Sequence, residues 1–191
     1  RRRRRSKLWS RPTPASPGIR TFEVPVAELR TTIDWTPFFQ AWELKGAYPA
    51  ILEDPVVGEQ ARTLLADAVA MLDRMEREGG LRPRGVVGLF PANAAGDDVE
   101  LYADDARADV RAVVHGLRQQ FGKDGRDNLC LSDFVAPRDT GIADWMGAFA
   151  VTAGSVDTLA RAFEATHDDY SAILAKAVAD RLVESLAEHA H

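Results

Sequence analysis

The sequence predicts an α+β domain, and three observations carry that prediction. Residues 55–80 set apolar side chains at helical spacing, from Val57 through Ala61, Leu64, Leu65, Ala68 and Leu72 to Met75, before a Gly79–Gly80 stop. Two short apolar runs, "RGVVGLFP" and "VELY", flank the turn-rich "ANAAGDD" and read as a β-hairpin. From Ser155 onward the helical period returns and runs to the last residue.

Composition bounds the reading. At 191 residues, 46% hydrophobic and 28% charged, the chain has material for the core of one ordinary domain. It has no run of about 18 apolar residues to cross a bilayer, and its basic N-terminus lacks the apolar segment of a secretory signal. A soluble, cytoplasmic protein with no membrane partner is the expectation. Cys130, the single cysteine, fits a reducing compartment, and its place in "LCL" reads as a buried small hydrophobe. The first 20 residues hold eight of the 24 basic side chains and no acid, so the remainder is thirteen charges negative. Residues 1–16, with five arginines followed by "SRPTPAS", read as a basic, Pro- and Ser-rich linker to something upstream. No groove-reading motif or aromatic–basic interleaving follows, so nucleic acid is not an expected partner.

The folded part begins near residue 17. "IRTFEV" reads as a strand and "VAELRTTI" as a short helical turn. Thr36 followed by Pro37 predicts a helix over 37–44, ended by Gly46. The helix of residues 55–78 follows, then a buried strand over 84–91, the "ANAAGDD" loop and the "VELY" strand. Asp104 and Asp105 suit the positive end of a helix, and Val110, Val113, Val114, Leu117 and Phe121 supply its stripe, so a helix is predicted over 104–121 with His115 beside the stripe. "NLCLSDFVAP" and "WMGAFAV" read as strands around the turn-rich "RDTGIAD". Leu159 and Phe163 mark one helix; "HDDY" interrupts it, and Tyr170, Ile173, Leu174, Ala177, Val178, Leu182 and Leu186 mark another.

No phosphate loop, HExxH, nucleophile elbow or CxxC is present. His167, Asp168 and Asp169 are adjacent in sequence and point apart, with no second cluster to complete a metal site. The conspicuous feature is "TTIDWTPFFQAW", which sets the carboxylate of Asp34 among two tryptophans and two phenylalanines, where an unpaired charge is costly. It either holds a cationic ligand or caps the helix that Pro37 opens.

Several words of the sequence, in order, carry a resemblance: "IDWTPFFQAWELKG", "RGVVGLFPAN", "LRQQ", "LSDFVAP", "GAFAV", "FEATHDDY" and "ADRL". Over residues 17–191 the chain resembles the activation domain of cobalamin-dependent methionine synthase. The resemblance implies a C-shaped α+β domain with a twisted antiparallel sheet flanked by helices. It implies binding of S-adenosylmethionine (AdoMet) for reductive remethylation of cob(II)alamin held by a neighbouring domain, with an electron from flavodoxin or an equivalent reductase. Asp34 matches the family aspartate that contacts AdoMet, a cation that carboxylates and aromatic faces attract. Glu184 is implied to approach AdoMet as well. Asp180 and Arg181, on the same helix, are implied contacts of the cobalamin-binding domain; as solvated surface groups, Asp180 and Glu184 would instead pair with Arg181 or Lys176.

One departure from the family stands out. Its arginine followed by Pro-Gly-Tyr, which completes the AdoMet site, occurs nowhere in residues 1–191. The activation domain is therefore expected to be incomplete at its C-terminus, and the fragment to be inactive alone. Zinc belongs only to other modules of the full-length enzyme. The alternative is a non-catalytic module that docks a cobalamin-binding domain or reductase without binding AdoMet.

Overall fold

The computed structural model describes residues 14–122 and 125–190. The arginine run and most of the expected linker lie outside the described residues. Five strands, β1 (Gly18–Glu23), β2 (Leu81–Ala95), β3 (Asp98–Tyr102), β4 (Val110–Val114) and β5 (Asp144–Gly154), form one open sheet in the order β1-β2-β3-β4, with β5 also paired to β2. Among the described residues five α-helices accompany it: α1 (Val26–Leu29), α2 (Thr36–Ala41), α3 (Gly58–Arg77), α4 (Val156–Ala165) and α5 (Asp169–Ala190). The fold is α+β, as the sequence predicts. The chain forms two compact units, one of residues up to Arg20 with Val87–Ala148, the other of Thr21–Val86 with Phe149–His191.

The second unit is helical and apolar. α5 packs against α1, α2, α3 and α4. Leu29 of α1, Phe38 and Phe39 of α2, Leu72 and Met75 of α3, and Val178, Leu182 and Leu186 of α5 are its largest fully buried side chains. At about 1.5–3 kcal/mol for each large apolar side chain taken from water, this cluster dominates the unit's stability. α3 matches its predicted stripe, with Ala61, Leu64, Ala68, Leu72 and Met75 buried and Met71 added. Its start lies three residues past Pro55, where the Asp54 carboxylate accepts bonds from the amides of Val56 and Val57 at 2.8 and 3.0 Å. On α5 the buried face is rotated from the expected one: Ala172, Ala175 and Ala179 join it, whereas Tyr170 and Ile173 are exposed. Small residues lie inward there because α4, α3, α2 and α1 all approach this one helix.

The first unit is built on the β2–β3 hairpin. Ala95 pairs with Asp98 across Gly96–Asp97, and Gly96 has φ +73°, the left-handed first position of a type II′ turn. β2 extends through Ala92–Ala95, which the sequence presents as loop. Asn93 there is 4% exposed. Its amide donates to the carbonyls of Ala136 and Ile142 at 2.9 and 2.8 Å, so a residue typical of turns serves as an interior bracket.

Residues 104–121 do not form the predicted helix. Val110–Val114 is strand β4, antiparallel to β3 with Val99 opposite Val114 and Glu100 opposite Val113. The helix cannot start: the Asp104 carboxylate accepts from the Ala106 amide at 2.9 Å in a tight turn, and Arg107 lies at φ +54°. Beyond it, three valines in five residues favour the pleated surface. "NLCLSDFVAP" likewise gives no strand but a 3₁₀ turn, Leu131–Phe134, because the Asp133 carboxylate takes the Cys130 amide at 2.9 Å and satisfies a group that a ladder would need. Arg118 ties this loop down, donating two bonds to Asp133 at 2.7 and 2.8 Å and two to Asp97 at 2.7 and 3.1 Å. Gly116 is a close approach: a Cβ there would meet the Asp97 carbonyl oxygen at 2.1 Å.

Between α4 and α5, His167 takes φ +60° and Asp168 caps α5, its carboxylate accepting the Ser171 amide at 3.0 Å. That bond holds the Asp168 carboxyl below its ordinary value. A depressed acid contributes stability that is complete above its unfolded pKa of about 3.9 and lost as pH falls through the lower folded value. Asparagine caps without titrating. We therefore expect Asp168→Asn to flatten the fall of the thermal midpoint on the acid side of pH 4, read by circular dichroism across a pH series, while leaving the midpoint at pH 7 nearly unchanged.

Candidate functional site

Asp34 lies on the connector between the 3₁₀ turn Arg30–Thr32 and α2. The connector alternates: Ile33 and Trp35 are buried at 8% each, and Asp34 between them faces water. The aromatic run thus never encloses the charge. Trp35 meets Phe38 edge-on at 5.4 Å, and Phe39 stacks on Tyr48 at 6.4 Å, so the rings pack on one another and not around the carboxylate's charge. Asp34 Oδ1 accepts the Thr36 amide at 2.9 Å, at the start of α2. The Thr36 hydroxyl, expected to cap, instead accepts the Tyr48 amide at 3.1 Å. α2 ends at Ala41, short of the expected 44, and Glu43 follows at φ +61°. Asp34 thus takes the first amide of α2 through one oxygen from the position before Trp35, the N-cap, which has no side-chain cap bond; Oδ2 has no partner among the described residues.

Asp180 and Glu184 are exposed one turn apart on α5, with Arg181 half-buried between them. None of these three side chains makes a hydrogen bond or ion pair among the described residues. Lys176 is engaged elsewhere, with Glu164 at 2.8 Å, and so does not neutralise Asp180. The chain segments bearing Asp34 and Glu184 are brought together by a hydroxyl pair. Thr32 Oγ1 and Ser185 Oγ are 2.7 Å apart, and Ser185 also donates to the Leu29 carbonyl at 3.0 Å. Asp34 follows Thr32 by two residues; Glu184 precedes Ser185 by one.

Neither of two clefts formed by described residues of this unit is lined by Asp34, Asp180 or Glu184. One of about 190 Å³ is bounded by Trp42, Gln60, Asp67 and Tyr170. Trp42 meets Tyr170 edge-on at 5.3 Å, and the phenol donates to Asp67 Oδ2 at 2.6 Å. Burial, reinforced by that carboxylate, pushes the Tyr170 phenol up to about 12. The other, of about 720 Å³, lies on strand residues including Phe22, Arg84, Gly85 and Val151. Gly85 lets the Phe22 ring lie close against the strand, since a Cβ there would meet that ring at 2.4 Å. No spacing in the sequence marks either cleft. Among the described residues no group of three or more His, Cys, Asp or Glu is placed to hold a metal, and no helix is long and apolar enough to cross a membrane.

The sequence model of the vitamin B12 dependent methionine synthase activation domain matches residues 25–191, a span containing Asp34, Asp180, Arg181 and Glu184. The chain belongs to this family. A solved relative, the crystal structure of the MetH reactivation domain bound to AdoHcy, is 56% identical, with a TM-score of 0.87 over 93% of this chain and 55% of that one. The chain thus spans about half the length of the structure it matches. In this activation-domain chain, the exposed acids on the α2 connector and on α5 are surface groups whose removal leaves every buried contact in place. We expect Asp34→Asn, Asp180→Asn and Glu184→Gln each to change unfolding free energy by less than about 0.5 kcal/mol in urea titrations, because asparagine retains the bond to Thr36 and the other two side chains hold nothing.

Proposed function

We propose that this chain is the part of an activation domain that supplies the carboxylate side of an AdoMet site, serving reductive remethylation of cob(II)alamin held by a neighbouring domain. The observation that carries the reading is an exposed Asp34 with one oxygen committed to the α2 start and the other free, in a chain 56% identical to a reactivation domain bound to AdoHcy. AdoHcy is AdoMet without its methyl group, and both carry an ammonium that a preorganised carboxylate recognises. Because the Thr36 amide fixes the Asp34 side chain, less rotamer freedom is lost on binding. In the reaction, one electron from flavodoxin or an equivalent reductase reduces the cobalt of cob(II)alamin. The cobalt then takes the AdoMet methyl: the C–S bond breaks, the Co–C bond forms and AdoHcy leaves.

Asp180, Glu184 and Arg181 belong to the docking step. Two unpaired acids one turn apart repel weakly and gain from a cation, so this face of α5 suits a basic group on the cobalamin-binding domain. Cobalamin is a substrate carried by that domain, and zinc belongs with other modules of the full-length enzyme.

A hydrogen bond to a charged group contributes about 1.5–3 kcal/mol, so Asp34→Asn in the full-length protein is expected to weaken AdoMet binding roughly tenfold or more in calorimetric titration. Unchanged affinity would reduce Asp34 to a helix cap. Asp180→Asn with Glu184→Gln is expected to weaken association with the isolated cobalamin-binding domain and to leave AdoMet affinity within about twofold of the starting protein. A loss of AdoMet affinity by Glu184→Gln alone would place that carboxylate on the ligand.

A further inference from the structure

The smaller cleft of the helical unit brings two aromatic rings to a carboxylate that is only half used. One stripe of α3, Gln60, Thr63, Leu64 and Asp67 at positions i, i+3, i+4 and i+7, forms its wall, with Trp42 at the end of α2 and Tyr170 in the first turn of α5 facing it. Asp67 accepts the Tyr170 phenol on Oδ2 at 2.6 Å, and its Oδ1 has no partner among the described residues. The Thr63 hydroxyl donates to the Glu59 carbonyl at 3.1 Å, which leaves its oxygen able to accept. The Gln60 amide makes no hydrogen bond among the described residues. No basic side chain is among the residues that line the cleft, and Arg62, the α3 cation nearest in sequence, donates to the Leu52 carbonyl. The negative charge of Asp67 is thus left beside ring faces that themselves attract cations.

We propose that this cleft binds a primary alkylammonium group, its nitrogen on Asp67 Oδ1 with the Gln60 and Thr63 oxygens as further acceptors, and its methylenes against the Trp42 and Tyr170 rings. Donor count selects the group. Three acceptors match the three N–H bonds of an ammonium, whereas a guanidinium brings five and a quaternary ammonium none. Size agrees: a volume of about 190 Å³ lies below the roughly 300–1,000 Å³ of drug-sized sites and suits one small group on a short stem. Leu64, buried at 7%, gives that stem an apolar surface. The site shares no residue with the Asp34 carboxylate and stands or falls apart from the AdoMet reading.

The test is a titration of the 191-residue chain with n-butylamine at pH 7, where the amine is protonated, at constant ionic strength and without AdoMet. Binding is read from the indole N–H resonance of Trp42, assigned by its loss in Trp42→Phe. The expected result is a saturable shift with a millimolar Kd, and affinity roughly tenfold or more weaker both for neutral n-butanol and in Asp67→Asn, which still accepts the phenol. Tyr170→Phe keeps the ring and frees Oδ2, so it should hold affinity within about twofold or improve it. Lack of saturation, equal binding of amine and alcohol, or unchanged affinity in Asp67→Asn would each overturn the proposal. The tenfold loss in Asp34→Asn would overturn it as well, by placing the amine on the other carboxylate. A lysine derivative blocked at its α-amino and carboxyl groups separates the sources: tighter binding than n-butylamine assigns the site to a lysine side chain of a polypeptide, weaker binding to a free small amine, and both uphold the ammonium site.

Discussion

Burial of the α5 stripe is the interaction on which the helical unit depends. Val178, Leu182 and Leu186 are fully buried, and four other helices reach the same rod. Because the inward face is partly alanine, the neighbours come close enough for Ser185 to meet both Thr32 and the Leu29 carbonyl. Polar groups so deep in an apolar cluster are tolerated only when their bonds are made, and here they are made across 153 and 156 residues of sequence. The connector that bears Asp34 is therefore positioned by the core and not by its own loop preferences.

The sheet-based unit rests on a different principle. Its buried apolar residues are few and mostly small, Ala92, Ala94, Val99, Tyr102, Cys130 and Ala136. Polar brackets do the joining. Arg107 donates to the Ala92 carbonyl, to Asn93 Oδ1 at 2.9 Å and to the Asp144 carbonyl at 2.9 Å, while its guanidinium lies 5.7 Å from the Tyr102 ring centre. Asp144, 2% exposed, takes the Ala136 amide at 2.8 Å and the Trp145 amide at 2.8 Å. Such a network defines one arrangement because removing any member strands the others without partners. The left-handed backbone of Arg107 is held by these bonds.

Where one physical signal dominated, the sequence was readable. α3 has a long unmixed helical period, and the β2–β3 hairpin has glycine at the turn. Residues 104–121 misled because Val110, Val113 and Val114 satisfy the spacing of a helix and the composition of a strand alike; the deciding facts, a tight turn at Asp104 and the partner strand β3, are tertiary. Asn93 looked like a turn residue because its bonds go to residues 43 and 49 positions away. At the candidate site, the chemistry of Asp34 was visible as an anomaly, but its burial was misjudged: strand-like alternation carries the charge outward while its neighbours turn in. Asp180 and Glu184 were legible as acids one turn apart. Their lack of partners was not, since the nearest expected cation, Lys176, is drawn to Glu164 on another helix.

Cys130 gives the sheet-based unit a built-in chemical clock. Its thiol is the only one in the chain, is 3% exposed, donates to the Asp97 carbonyl at 3.4 Å and sits where a Gly116 side chain would have to go. A reagent reaches that sulfur only when the Arg118 clasp and the 3₁₀ turn come away from the hairpin. Its labelling rate then counts those openings one molecule at a time, with no mutation and no added probe, and with no signal from the cysteine-free helical unit.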